Sequence, residues 1–415
     1  MEMNEPIVSW KRILLPVMTF GAAWIYARML LWDEFSGLAL SVSLAVMALL
    51  LVGVTVMMNR KKAGEWESWI WLGCFALNCL SLILQCGKVW ETGQVYFFVH
   101  VFFVWWVVSR SGKLLDGKSG HFLPLDALNA FIIVPFTHFF DGLRHFFGSF
   151  SRLFRRREKS GLPAWTVLVV VVGLGLFAMA LRLLTEADSH FATSVQRIMD
   201  DFLMKLDWDA LWALVFSVPV CAWLYGLISG SRSMEEEKLI QQKTGAEKLL
   251  SGMAKVPGWV WTAMISLFSL LYLAFFILQG TYLFGAFSRS LPEGFTVAQY
   301  AREGFFELCK VMAVNFALLW MVTRTVSPES RSKAFLVACI ALLAESMVFA
   351  VIAFSKIMLY ISCFGFTPLR LQSTWLVCVL FAGCALWLWN ILTGHKAFRP
   401  WMIFGAVTLS ILAML

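Results

Sequence analysis

Residues 279–310 read QGTYLFGAFSRSLPEGFTVAQYAREGFFELCK. One apolar run ends at the left edge of this stretch and another begins at its right edge. Between them lie turn signals, an aromatic cluster and a charged helix start. Thr296 followed by Gln299 forms a capping box, so a helix is expected to begin near Val297. No breaker follows until about Val326. At 1.5 Å per residue these ~30 residues extend roughly 45 Å, whereas a hydrocarbon core is about 30 Å thick. The first turns therefore stand out of the membrane or lie in its interface. At about 100° per residue, Tyr300, Glu303, Glu307 and Lys310 share one face. Gly304 lies beside that stripe, where a missing side chain permits close approach of another element.

Working outward, the 415 residues are 60% hydrophobic and 14% charged, with a mean hydropathy of +0.75. This composition excludes a soluble globular chain. It calls for an all-α, polytopic transmembrane helix bundle, because a helix satisfies its own backbone in lipid. The net charge of +8 does not call for nucleic acid, since excess Lys and Arg in a membrane protein gather in cytoplasmic loops. The nine cysteines show no metal-like spacing, and most lie inside apolar runs as small apolar residues. Cys86 and Cys363 fall near predicted outer ends, which leaves a disulfide between them open. No G-x-x-x-x-G-K-[ST], H-E-x-x-H, C-x-x-C or G-x-S-x-G motif is present. No catalytic residue, metal or cofactor is therefore assigned.

About eleven spans are expected. They are Ile13–Trp32, Gly37–Met58, Trp66–Gln85, Gln94–Ser109, Pro163–Leu184, Ala210–Ser229, Gly258–Gln279, Glu307–Val326, a long helix from Pro328 to about Ile361, Ser373–Leu392 and Phe398–Leu415. Three regions follow. Residues 1–110 form a four-span region, 111–162 a basic amphipathic segment on the cytoplasmic face, and 163–415 a seven-span region. Within the middle region Phe122 to Phe150 is amphipathic, and FDGLRHFFGSFSRLFRRR (140–157) mixes Phe with Arg at helical spacing. Such a segment lies on a membrane more readily than it crosses one. Arg152, Arg155, Arg156 and Arg157 are its expected contacts with anionic lipid.

With the N-terminus inside and eleven alternating spans, 24 of the 34 Lys and Arg fall in inner segments. That is the bias the positive-inside rule demands, and it places the C-terminus outside. Tryptophans such as Trp10, Trp32, Trp66, Trp90, Trp208, Trp259, Trp375 and Trp401 sit close to span ends, as an aromatic belt requires.

A few polar residues stand out against this background. Arg28 reads as a snorkelling side chain near an outer end. Glu345, in ALLAESMVF (341–349), lies about halfway through the ninth span. A carboxylate at that depth must face protein, water or a partner, or be protonated. Two readings stay open for it, a neutral acid hydrogen-bonded between helices and a proton or ion site. Asn315 and Asn390 are expected to make interhelical hydrogen bonds. Asp188 and His190 share a loop, where solvation explains them better than a metal does. On the outer face, Tyr300, Arg302, Glu303, Glu307, Lys310, Lys356, Tyr360 and Arg370 are expected to form a cluster. Carboxylates four residues apart repel, so Glu303 or Glu307 is expected to pair with Arg302, Lys356 or Arg370.

These blocks also carry a resemblance. Tyr282-Leu-Phe-Gly, Leu291-Pro and Tyr300-Ala-Arg-Glu-Gly-Phe-Phe-Glu-Leu resemble a bacterial family of polytopic membrane proteins catalogued only as a domain of unknown function. Ala353-Phe-Ser-Lys-Ile-Met-Leu-Tyr and Phe364-Gly-Phe-Thr-Pro-Leu-Arg370 agree with it, and Ala187-Asp-Ser-His-Phe191 is a weaker match. The family pattern favours Arg at the Lys356 position, Tyr at Phe364 and Leu at Phe366, so a hydroxyl is missing at Phe364. The similarity covers roughly the C-terminal two thirds. It implies a bacterial cytoplasmic-membrane protein and supplies no activity, substrate or cofactor.

With neither a catalytic motif nor a soluble effector domain, the expected role is non-enzymatic: envelope sensing, regulation or assembly, acting through a membrane-protein partner. A transporter or channel using Glu345 is the alternative, and a membrane enzyme acting on an outer-leaflet lipid or glycan comes third. Topology is directly testable. Reporter fusions after Lys62, Lys159, Lys255 and Lys333 should all report the cytoplasm. A periplasmic signal at Lys255 or Lys333 with a cytoplasmic signal at Lys62 would mean that Phe122 to Phe140 crosses.

Overall fold

The computed structural model describes residues 8–32, 37–58, 66–120, 122–142, 144–145, 208–253, 257–280, 285, 296–326 and 331–415. Among these, helices are the only regular elements. They are α1 (Val8–Trp32), α2 (Gly37–Met58), α3 (Trp66–Leu84), α4 (Thr92–Arg110), α5 (Leu123–Thr137), α6 (Trp208–Ser233), α7 (Glu236–Met253), α8 (Gly258–Leu278), α9 (Val297–Thr325), α10 (Lys333–Phe364), α11 (Pro368–Thr393) and α12 (Phe398–Leu412). Eight of the described helices, α2, α3, α4, α6, α8, α9, α10 and α11, are long and apolar enough to cross a membrane.

Local sequence explains where the helices begin and end. α9 begins where the capping box placed it: Thr296 Oγ1 accepts from Gln299 N–H at 3.3 Å and the Gln299 side chain reaches back. α10 does not start at Pro328 as expected. Ser332 is its N-cap, accepting from Phe335 N–H at 3.1 Å, so the helix opens at Lys333. The eleventh expected span is also shorter than its apolar run, because α12 has 15 residues and ends at Leu412. α5 contains a π turn over Asn129–Ile133. Pro135 has no N–H to offer the Phe131 carbonyl, and a widened turn accommodates the missing bond. The expected fifth span and the Asp188 and His190 loop lie outside the described residues, as do Arg152 and Arg155 to Arg157.

The chain divides into two compact units, residues 1–60 with 131–232, and residues 61–130 with 233–415. In the first, α1 packs on α2. Thr19 and Thr55 turn their hydroxyls back onto the carbonyls of Leu15 and Leu51, which hides polar atoms inside the helices. The end of α5 and the residues after it lie against α6. His145 Nδ1 is 2.9 Å from the Tyr225 hydroxyl, and Gly226 and Gly230 make room for Pro135 and His138.

The second unit is a chain of packed neighbours: α4 on α3, α3 on α12, α12 on α11, α11 on α10, with α8 and α9 both against α10. Three polar contacts run along the α3–α12 seam. Arg399 pairs with Glu67 at 2.7 Å, Asn78 Nδ2 donates to Ser410 Oγ at 2.9 Å, and Ser81 Oγ donates to the Ala413 carbonyl. Each pair is separated by 332 residues. A constant offset requires α3 and α12 to run parallel and in register. At the far end of the seam Gly87 holds φ +87°, and a Cβ there would come within 2.1 Å of the Ala413 carbonyl oxygen, so only glycine fits.

At the near end, the segment after α4 is tied down by α7. Lys243 pairs with Asp116 at 2.8 Å, Asn129 Nδ2 donates to Gln242 at 2.8 Å, and Lys113 donates to the Met234 carbonyl. Asp126 is buried there and accepts from Leu115 N–H at 2.8 Å. Burial pushes its carboxyl up to about 7 from 3.8, against the Leu115 hydrogen bond and with help from the charges of Asp116 and Glu67. The folded chain therefore holds a proton that the unfolded chain has lost. The stability linked to Asp126 is complete below its unfolded pKa and is lost as pH rises through about 7. Thermal unfolding of the full chain in detergent should show a midpoint that falls between about pH 5 and pH 8. Asp126→Asn, which keeps the acceptor for Leu115, should flatten that fall. An unchanged slope in the variant would place the titrating group elsewhere.

Candidate functional site

The long helices α9 and α10 carry most of the expected cluster. At the end where α9 starts and α10 finishes, Lys356 is fully buried. Its Nζ lies 4.1 Å from the centroid of the Tyr300 ring and 3.5 Å from the Tyr300 carbonyl oxygen, and Tyr300 is itself fully buried. A buried ammonium is costly unless its charge is met. Here the negative face of an aromatic ring and a carbonyl dipole meet it, and the Glu307 charge acts on it as well. Gly304 makes the approach possible. A Cβ at residue 304 would lie 2.2 Å from Lys356 Nζ and 3.2 Å from its Cε.

The remaining members are placed differently. Glu307 and Lys310 are exposed, and neither makes an ion pair among the described residues. The side chains of Arg302 and Glu303 lie outside what the structure describes. Arg370 closes the turn from α10 to α11. Its guanidinium lies 4.0 Å from the Tyr360 ring centroid and 5.7 Å from that of Phe364, and it donates to the carbonyls of Phe364 and Gly365. Arg370, Tyr360 and Phe364 thus form a cap on the helix end, beside the buried Tyr300–Lys356 pair.

Midway along the bundle, Tyr272 of α8 donates its hydroxyl to Asn315 Oδ1 of α9 at 2.7 Å. Asn315 Nδ2 donates to Ser346 Oγ of α10 at 2.9 Å, and Ser346 donates to the Leu342 carbonyl at 2.7 Å. All three side chains are buried. Asn315 therefore bridges helices as the sequence suggested. Asn390 does not: it donates to the His395 carbonyl and closes the end of its own helix. Glu345 is half-buried beside this chain of hydrogen bonds. Ser269 Oγ of α8 is next to it outside strict hydrogen-bond geometry, and Glu345 Oε2 is buried with no hydrogen-bond partner.

At the opposite end of α9 and α10 a cavity of ≈ 730 Å³ opens among residues of the second unit. Lys118, Arg331, Lys396 and Arg399 line it with Trp66 and Trp387. Sequence reasoning counted these cations only as topological charge. The available signal was that each of three separate turns carries a cation close to a tryptophan or phenylalanine.

All nine cysteines are free thiols, including Cys86 and Cys363. The Gly304–Lys356 fit makes a specific prediction. Gly304→Ala should lower the unfolding midpoint in detergent, at a cost of about 1–3 kcal/mol for overpacking. In a Lys356→Ala background, where the colliding atoms are gone, the same change should cost little. Equal losses in both backgrounds would show that Lys356 is not what Gly304 accommodates.

A family model described as Domain of unknown function (DUF4153) matches residues 13–415. No curated protein and no solved structure matches the chain. The match runs through the first two helices as well as the blocks around Tyr300 and Lys356, so the family extends well beyond the C-terminal two thirds in which its motifs are visible. With eight described helices long and apolar enough to cross a membrane, the chain is a multi-pass membrane protein that belongs to the DUF4153 family.

Proposed function

We propose that this membrane protein acts without catalysis, as a sensing, regulatory or assembly component of a bacterial cytoplasmic membrane. The observation that carries this reading is the middle of the bundle. The cavity at one end reaches the level of Trp320 and Cys339, and its lining does not include Glu345. Beyond it, the space between α8, α9 and α10 is filled by the Tyr272–Asn315–Ser346 hydrogen bonds and the apolar packing around Phe349. Among the described helices, a packed centre between α8, α9 and α10 suits ligand or partner binding better than passage. Transport remains the second reading, and one observation favours it: Glu345 Oε2 is buried without a hydrogen-bond partner, as an intramembrane proton site would be.

The expected count of about eleven crossings gains support from the seam. Parallel α3 and α12 require an odd number of crossings between them. The described candidates between them are α4, α6, α8, α9, α10 and α11, an even number. The expected span at 163–184 supplies the seventh.

Labelling at residue 345 tests the closed centre. Glu345→Cys in the full chain is treated in intact cells and in inverted vesicles with a membrane-impermeant maleimide, and the peptide is read by mass. The variant should stay unmodified from both sides. Labelling from either side would overturn the closed-bundle reading in favour of transport.

A further inference from the structure

The ≈ 730 Å³ cavity is the strongest feature of the fold to which the proposed function assigns no occupant. It lies wholly within the second unit and is built from one end of several helices. α9 contributes Trp320 and Thr323, α10 contributes Phe335 and Cys339, and the α11–α12 turn contributes Asn390 and Lys396 to Trp401. Trp66 opens α3, and Asp116 to Gly120 follow α4. Every one of these turns is on the side that the charge bias assigns to the cytoplasm.

Its chemistry is two-sided. The inner wall is aromatic and aliphatic, continuous with helices that cross the membrane. The rim is cationic. Asp116 lines it, but Lys243 neutralises that carboxylate at 2.8 Å. Arg399 is held at 2.7 Å by Glu67 and lies 4.5 Å from the Trp66 ring centroid. Arg331 donates one Nη2 N–H to the Thr323 carbonyl at 3.0 Å, which leaves its other donors and its charge for the cavity. Lys118, Arg331 and Lys396 make no ion pair among the described residues. Three positive charges thus converge on one mouth, with no ion pair to any of them among the described residues.

The walls are also fixed in place. Trp401 Nε1 donates to the Val379 carbonyl at 2.7 Å, its ring stacks on Phe316 at 5.1 Å, and Gly383 leaves the notch it fills. Glu67 accepts from Trp71 Nε1 at 3.1 Å and from Ser119 N–H at 3.1 Å, which sets the guanidinium it holds. A rigid pocket loses little freedom on binding, and its volume lies within the range of about 300–1,000 Å³ typical of small-ligand sites.

We infer that this cavity binds an anionic phospholipid, its phosphate among Lys118, Arg331 and Lys396 and its acyl part against the aromatic wall. A soluble anion would use the rim and leave the apolar wall wet. A neutral lipid would use the wall and leave three cations unmatched. Basic pockets between membrane helices at the interface match a phosphodiester headgroup. The site uses no residue of the Arg152 to Arg157 segment, and it stands whether the bundle senses or transports.

The test is thermal unfolding of the full chain in a neutral detergent, with short-chain phosphatidylglycerol, short-chain phosphatidylcholine or glycerol phosphate added. Phosphatidylglycerol should raise the midpoint saturably, because a ligand of the folded state stabilises it. Phosphatidylcholine should not. Lys396→Gln changes an exposed side chain, so its midpoint without lipid should match wild type, whereas Arg331→Gln loses the bond to the Thr323 carbonyl and its shift is read against its own lipid-free midpoint. Each should weaken the apparent affinity about tenfold, the loss expected for one charge-assisted hydrogen bond. An Arg152, Arg155, Arg156 and Arg157→Gln variant should respond as wild type does. An equal rise with phosphatidylcholine, or a full response in both rim variants, would overturn the site. Loss of the response in the Arg152 to Arg157 variant would move the lipid to that segment and overturn it too. A rise of the same size with glycerol phosphate would keep the phosphate site and overturn the lipid as its source.

Discussion

A carboxylate removed from water is stable only where donors and cations converge on it, and Glu67 is where three distant parts of this chain do so. Trp71 donates to it from within α3, Ser119 N–H from the segment after α4, and Arg399 from the start of α12. Replacing any one donor would leave a buried charge less well met. That requirement fixes α12, at the far end of the sequence, beside α3 near its beginning. The other two seam contacts then fall into register, Asn78 with Ser410 and Ser81 with Ala413. In a lipid-facing bundle apolar packing does little to choose between neighbouring helices, since lipid tails are as apolar as leucine. Polar contacts of this kind give the seam a unique register.

The opposite end of the bundle solves a related problem with different groups. Lys356 is as deeply buried as Glu67, yet its described partners are the ring and carbonyl of Tyr300. A cation over an aromatic face needs close contact, and close contact needs Gly304 to lack a side chain. The two ends therefore differ in kind. One is an ion pair fixed by backbone and indole donors, and it borders an open cavity. The other is a closed cation–π contact that joins α9 to α10 through a missing Cβ. Between them the Tyr272–Asn315–Ser346 bridge holds α8, α9 and α10 with neutral groups.

What the sequence revealed follows from which forces are local. Helix existence was legible because apolar runs in lipid have no alternative, and the start of α9 was legible because a capping box is written in four consecutive residues. The start of α10 was misplaced because two serines, Ser327 and Ser332, each offer a cap, and only packing decides between them. Tyr300, Gly304 and Lys356 were legible as important residues. Their contact was not, because it joins positions 56 residues apart through space that a glycine leaves empty. The seam was invisible for the same reason on a larger scale: 332 residues separate its partners.

The cavity shows a deeper limit on such reading. Lys118, Arg331, Lys396 and Arg399 count toward the expected positive-inside bias wherever they sit in their loops, because that bias depends on the sign and side of a charge and hardly on its exact position. A binding site depends on position alone. In the sequence the same four residues therefore enter only as part of the charge bias, and the fold alone brings them to a pocket. Arg399 makes the point most sharply. In the sequence it is one basic residue before a terminal apolar run. In the fold it is the cation of Glu67, it lies over Trp66, and it forms part of the wall of the cavity. The contact that brings the two ends of the chain together also shapes the mouth beside it, so the assembly of this unit and the form of its cavity rest on one pair of side chains.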